Sequence, residues 1–102
     1  MIHVVALITA KPGRREDILD AYRAVVATVR AEAGCIEYGA AIDADGAPGF
    51  AAKLGLDAIV VIEKWESADA LKAHAASPHM AAYVGATKEW VASRLIHVLS
   101  PV

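Results

Sequence analysis

The chain has 102 residues, enough for one domain spanning 1–102, and it carries 10 basic against 12 acidic side chains. That balance offers no electrostatic footprint for nucleic acid or for an anionic membrane surface. A 57% hydrophobic content excludes a disordered chain, and 7 Gly, 4 Pro and one cysteine exclude collagen-like, Pro/Gly-rich and disulfide-scaffold classes. Cys35 has no partner for an intramolecular disulfide. A reducing compartment fits, and a cytoplasmic location is the expectation. No run reaches the roughly 18 apolar residues of a membrane span. There is neither Asn nor Gln, so no mechanism here can use a side-chain amide.

Residues 2–10 form a short β-branched run closed by Pro12-Gly13, which reads as a buried strand rather than a signal peptide. Arg14 to Ala33 reads as a helix. Ile18, Tyr22, Val25 or Val26, and Val29 recur at helical spacing, with Arg15, Glu16, Asp20, Arg23 and Arg30 on the other face. Gly34 supplies the stop. Cys35 to Asp43 reads as a second strand. Residues 44–57 look irregular, punctuated by Asp45-Gly46, Pro48-Gly49 and Gly55. Ala58 to Glu66 reads as a third strand, and the four aliphatics Ile59 to Ile62 imply burial on both faces. Ser67 caps a short helix over 68–76. Ser77-Pro78 starts another, with serine as cap and proline in the first turn, running to about Ala92. Arg94 to Leu99 reads as the last strand.

The order β-α-β-β-α-β, with its second helix broken at Ser77-Pro78, predicts an α+β, ferredoxin-like fold. Right-handed crossovers would place the helices on one face of a four-stranded antiparallel sheet. The other face would be bare, and the two-sided apolar third strand predicts a homodimer that packs sheet on sheet.

No CxxC, HExxH or glycine-rich phosphate loop is present, and the serines lack a nucleophile-elbow context. Four side chains stand out. Trp65 either packs as a core tryptophan or offers a flat wall to an aromatic ligand. His74 faces inward one turn after Leu71, as a hydrogen-bonded core group or as a proton acceptor. His79, Tyr83 and Trp90 fall on one stripe of the last helix, beside a second stripe of Met80, Val84, Thr87 and Val91; the width fits deep burial or a cavity wall. Tyr38 either packs or presents a phenol. His3 and His97 read as surface or interface residues on neighbouring strands. Cys35 has no basic neighbour to make it reactive. No metal is expected, because His74 and His79 do not share one continuous helix at i, i+4.

The run Ile62-Glu63-Lys64-Trp65-Glu66-Ser67, then Ala73-His74, Ser77-Pro78-His79-Met80 and Ala82-Tyr83, resembles the antibiotic biosynthesis monooxygenase (ABM) domain family, and its bacterial quinol monooxygenase branch in particular. Gly34-Cys35-x-x-Tyr38 adds to the likeness. The resemblance implies a dimeric α/β-barrel assembly of ferredoxin-like protomers. It also implies oxidation of a small quinol-like or polyphenolic aromatic by O2 without metal, flavin or haem. On that footing Trp65 would stack, His74 or His79 would take a proton, and Tyr38 or Tyr83 would hold an oxygen. Haem-degrading relatives use an Asn on the first strand and a ligating His on the last helix. This chain has no Asn and carries Val84 at the second place, which disfavours haem. A non-catalytic small-molecule binding or interaction module on the same dimeric fold is the alternative from another class.

Overall fold

The structure is a computed structural model describing residues 1–102. Its elements are β1 (Ile2–Ala10), α1 (Arg15–Arg30), β2 (Cys35–Ala41), β3 (Ala58–Trp65), α2 (Ala68–Ala75), α3 (Pro78–Thr87) and β4 (Val91–Leu99). The four strands form one sheet in the order β2-β3-β1-β4, antiparallel throughout. This is the expected ferredoxin-like arrangement.

Alternation fixes which side chains face the helices. Val4, Ala6, Ile8 and Ala10 of β1 are buried, and so are Ile59, Val61, Glu63 and Trp65 of β3. Ile18, Leu19 and Val29 of α1 close the core over them. The other face carries Val5, Leu7, Val60, Ile62, Leu95 and Leu99, which the register places opposite one another across β3, β1 and β4. Ile62 is 43% exposed and Leu95 56%. The two-sided apolar reading of β3 is therefore correct, and nothing within the chain covers its second side.

Local chemistry sets the boundaries. Ser67 Oγ accepts the Ala70 N–H, and Ser77 Oγ accepts the Met80 N–H with Pro78 in the first turn, so both expected caps are in place. Gly34 sits at φ +83, the left-handed conformation that glycine adopts at least cost. Its carbonyl accepts the Glu66 N–H at 2.8 Å, which ties the end of α1 to the end of β3.

Several boundaries differ from the sequence reading, and β2 ends at Ala41 instead of Asp43. Helix α1 ends at Arg30, and 31–34 form a turn in which the Glu32 N–H donates to Val29 O. Helix α3 ends at Thr87, not near Ala92, and β4 begins at Val91. The reason is strand pairing: Lys11 N–H donates to Trp90 O at 2.7 Å, and Ala10 lies opposite Val91. Trp90 consequently leaves the His79–Tyr83 stripe. It stacks instead beneath the guanidinium of Arg14, 5.5 Å from the ring centre. The irregular stretch between β2 and β3 is as expected; the carboxylate of Asp43 accepts the backbone N–H groups of Leu54 and Gly55 within it.

Candidate functional site

Between α2, α3 and the helix-facing side of the sheet lies a cavity of about 330 Å³. Eleven of its fourteen lining residues are hydrophobic, so its chemistry falls to Glu63, His74 and Arg94 together with the hydroxyls of Tyr38 and Tyr83. A volume of this size suits a small organic molecule. Its floor is Val4, Ala6 and Ile8 of β1 with Ile96 of β4, and Tyr38, Met80 and Tyr83 stand on its walls.

His74 is 5% exposed and its ring faces three ways. Its Nδ1 donates to Glu32 Oε2 at 2.7 Å. Its ring centre lies 4.6 Å from that of Trp65 and 5.5 Å from that of Tyr38. Because a carboxylate offers only acceptors, Glu32 places a ring proton on Nδ1 of His74, and in the neutral ring the lone pair is then on Nε2. His79 Nε2 donates to the same oxygen, Glu32 Oε2, at 3.0 Å, with Ser77 Oγ at 3.2 Å. Ser77 Oγ also donates to His74 O at 2.7 Å. The break at Ser77-Pro78 thus turns both imidazoles toward one carboxylate. They do not share the cavity: His74 lines it, and His79, half-buried, stands behind Glu32.

Trp65 is fully buried and forms no part of the cavity wall, so it offers no face to a ligand. Its indole N–H donates to Glu63 Oε1 at 2.9 Å. Glu63 and Trp65 alternate onto the same side of β3, and His74 packs over the indole. Trp65 is therefore the platform on which the cavity's imidazole rests. Burial raises the pKa of Glu63, an effect that the Trp65 hydrogen bond and the nearby His74 only partly offset. Burial likewise pushes the Tyr38 hydroxyl well above the usual phenol range, with Glu63 adding to it. Tyr83 is raised by burial and pulled back by Arg94. Burial and the carboxylates of Glu32 and Glu63 push the Cys35 thiol up, the opposite of what a reactive thiolate requires.

A family model described as antibiotic biosynthesis monooxygenase (ABM) matches residues 1–86. The protein belongs to the antibiotic biosynthesis monooxygenase family. It is 39% identical over 103 residues to the probable quinol monooxygenase YgiN of Escherichia coli K12, covering 99% of this chain and 98% of that one. The solved structure of PA3566 from Pseudomonas aeruginosa superposes with a TM-score of 0.81 at 28% identity, over 99% of this chain and 93% of the other. A putative family member from Nitrosomonas europaea shares the fold at a TM-score of 0.85 and 16% identity, over 100% and 99% of the two chains.

Within this ABM chain, Tyr38, His74 and Tyr83 of the sequence-derived set meet at the cavity, while Trp65 and His79 stand one layer behind it. Sequence reasoning missed Glu32, Glu63 and Arg94. Glu63 had a usable signal, since it shares a strand face with Trp65. Glu32, just past the end of α1, had none, because an acidic residue there reads as solvated. Glu32, His74 and His79 bring three potential ligand atoms within 4.8 Å of one another, so this trio is the place in the chain that could hold a metal ion. Val84 lines the cavity. No helix is long and apolar enough to cross a membrane.

Proposed function

We propose that this protein is a cofactor-independent monooxygenase of quinol-like or polyphenolic aromatics, using O2 and acting as a homodimer. The observation that carries the reading is His74, backed by Glu32, on the wall of a mostly apolar cavity. A flat aromatic ring fits such a space. Its hydroxyl gives a proton to Nε2 of His74, and Glu32 balances the imidazolium that forms. The resulting quinolate is electron-rich enough to pass one electron to O2, leaving a semiquinone and superoxide. Their recombination at a ring carbon, followed by loss of water, converts quinol plus O2 to hydroxyquinone plus water. Separation of the pair with a second electron transfer gives quinone and hydrogen peroxide instead. Tyr38 and Tyr83 hold oxygens at the walls, Trp65 fixes the plane of His74, and His79 holds Glu32 in place.

The name carried by the Escherichia coli relative agrees with this substrate class. The homodimer reading is supported by the bare sheet face and by Nε2 of His3, a buried side-chain atom without a partner in the chain. His3 projects from that same face, and a second copy would both cover the apolar strip and supply an acceptor or donor there.

The test is oxygen uptake with reduced naphthoquinones and polyphenols, using protein freed of metal by chelation. Wild type is expected to accelerate uptake above autoxidation, and His74→Ala to lose that acceleration. Binding of the aromatics without any acceleration would replace the enzyme reading with that of a binding module.

A further inference from the structure

The three polar residues of the cavity do not form one cluster. Glu63 lies opposite Val4 on one side of β1, and Arg94 lies opposite Ile8 on the other. Val4 and Ile8 are four residues apart on an extended strand, roughly 13 Å along its axis. Both polar side chains project to the helix-facing side, because residues directly opposite in an antiparallel pair share a face. The cavity therefore has an acid–base end, Glu63 with His74, and a cationic end, Arg94. Apolar floor separates them at Ala6, Val61 and Ile96.

Arg94 also differs from every other arginine in the chain. Arg14 and Arg23 pair with carboxylates, Arg30 donates to Tyr38 O, and Arg15 reaches Gly55 O. Arg94 has no such partner. A guanidinium stays charged at any accessible pH and presents a planar fork that matches a carboxylate. Arg94 is solvent-exposed, so it lines the cavity where it opens to water, with its fork free to meet an anion entering there.

We propose that Arg94 is an anion subsite and that the aromatic ligand carries an acidic group, such as a carboxylate, remote from the hydroxyl delivered to His74. The inference rests on the quinol reading for the hydroxyl end. Two polar ends joined by an apolar floor select a fused two-ring aromatic with a hydroxyl at one end and an anion at the other. They favour it over an uncharged ring of the same size, which would make no charge-assisted contact with Arg94.

The test uses matched probes: 1,4-naphthoquinone and its 6-carboxylate for binding by calorimetry, and the corresponding quinols for oxygen uptake. Wild type is expected to bind the carboxylate about tenfold or more tightly than the neutral quinone, the scale of a charge-assisted bidentate contact. Arg94→Met, which keeps length and loses charge, should bind both probes alike. Arg94→Lys should keep part of the preference. Equal binding of the two probes by wild type, or a preference surviving in Arg94→Met, overturns the proposal. Binding needs no turnover, so the two readings fail separately. A carboxylate preference without quinol oxidation would sink the oxygenase reading alone. Oxidation without a preference would sink the anion subsite alone.

Discussion

Glu32 Oε2 lies 2.7 Å from Nδ1 of His74, joining the turn after α1 to the last turn of α2. The pair is 42 residues apart in sequence, and it decides which nitrogen of the buried ring carries a proton. Removing the carboxylate frees the ring to take the other tautomer. Glu32→Ala is expected to lower kcat for quinol oxidation about tenfold to a hundredfold, and His74→Ala about a hundredfold or more. His79→Ala, which removes only a second donor to Glu32, should cost less than either. Steady-state oxygen uptake by the three variants gives the order, and a His79→Ala loss as large as that of His74→Ala would contradict it.

Glu63 predicts a pH dependence of stability. Burial raises its carboxyl above the ordinary 4.5. A folded-state value above the unfolded one means that the folded chain holds the proton more tightly. The stability this adds is fully present below pH 4.5 and lost as pH rises through the raised value. Glu63→Gln keeps an oxygen to accept the Trp65 N–H and cannot ionise. The melting temperature of wild type should therefore fall relative to that of Glu63→Gln as pH rises from about 4.5 toward neutrality. Parallel melting curves across that range would show that Glu63 carries no such burden.

At Gly34 two costs combine. An added Cβ would sit 2.6 Å from Cβ of Ala70, and φ is +83. Gly34→Ala should destabilise the fold by about 2 kcal/mol or more, from left-handed backbone strain and crowding together. Ala70→Gly opens the crowded space, so the double variant should recover the steric part and keep the backbone part. Urea unfolding of both single variants and the double variant measures this coupling; strict additivity would mean that the two positions do not press on each other.

The uncovered sheet face predicts self-association. Ile62 and Leu95 sit on it, and Leu99 beside them is 47% exposed. Sedimentation equilibrium should give a dimer at micromolar concentration, and Ile62→Lys with Leu95→Glu should give a folded monomer. A monomeric wild type would remove the dimer from the proposed function.

Much of the candidate site was legible because its signals are local or periodic. Residue type singled out Trp65 as core or wall, and one-turn spacing from Leu71 aimed His74 inward. Trp65 shows where such reading stops. Its burial was legible, but its place behind His74 rather than on the cavity wall depends on how α2 lies across the sheet. The position of Trp90 was misread for a related reason: the apolar stripe continues past Thr87, while pairing with β1 captures the chain at Val91.

The sequence by itself determined the element order, the serine caps at Ser67 and Ser77, the glycine stop at Gly34 and the family. Each depends on residue types at short spacing, which act wherever the chain goes. Only the tertiary structure decided that Glu32 serves both histidines, that Arg94 stands unpaired at the far end of the cavity from Glu63, and that α3 stops at Thr87. Those outcomes depend on contacts between residues distant in sequence. Burial and strand pairing settle them, and no short window of residues encodes either.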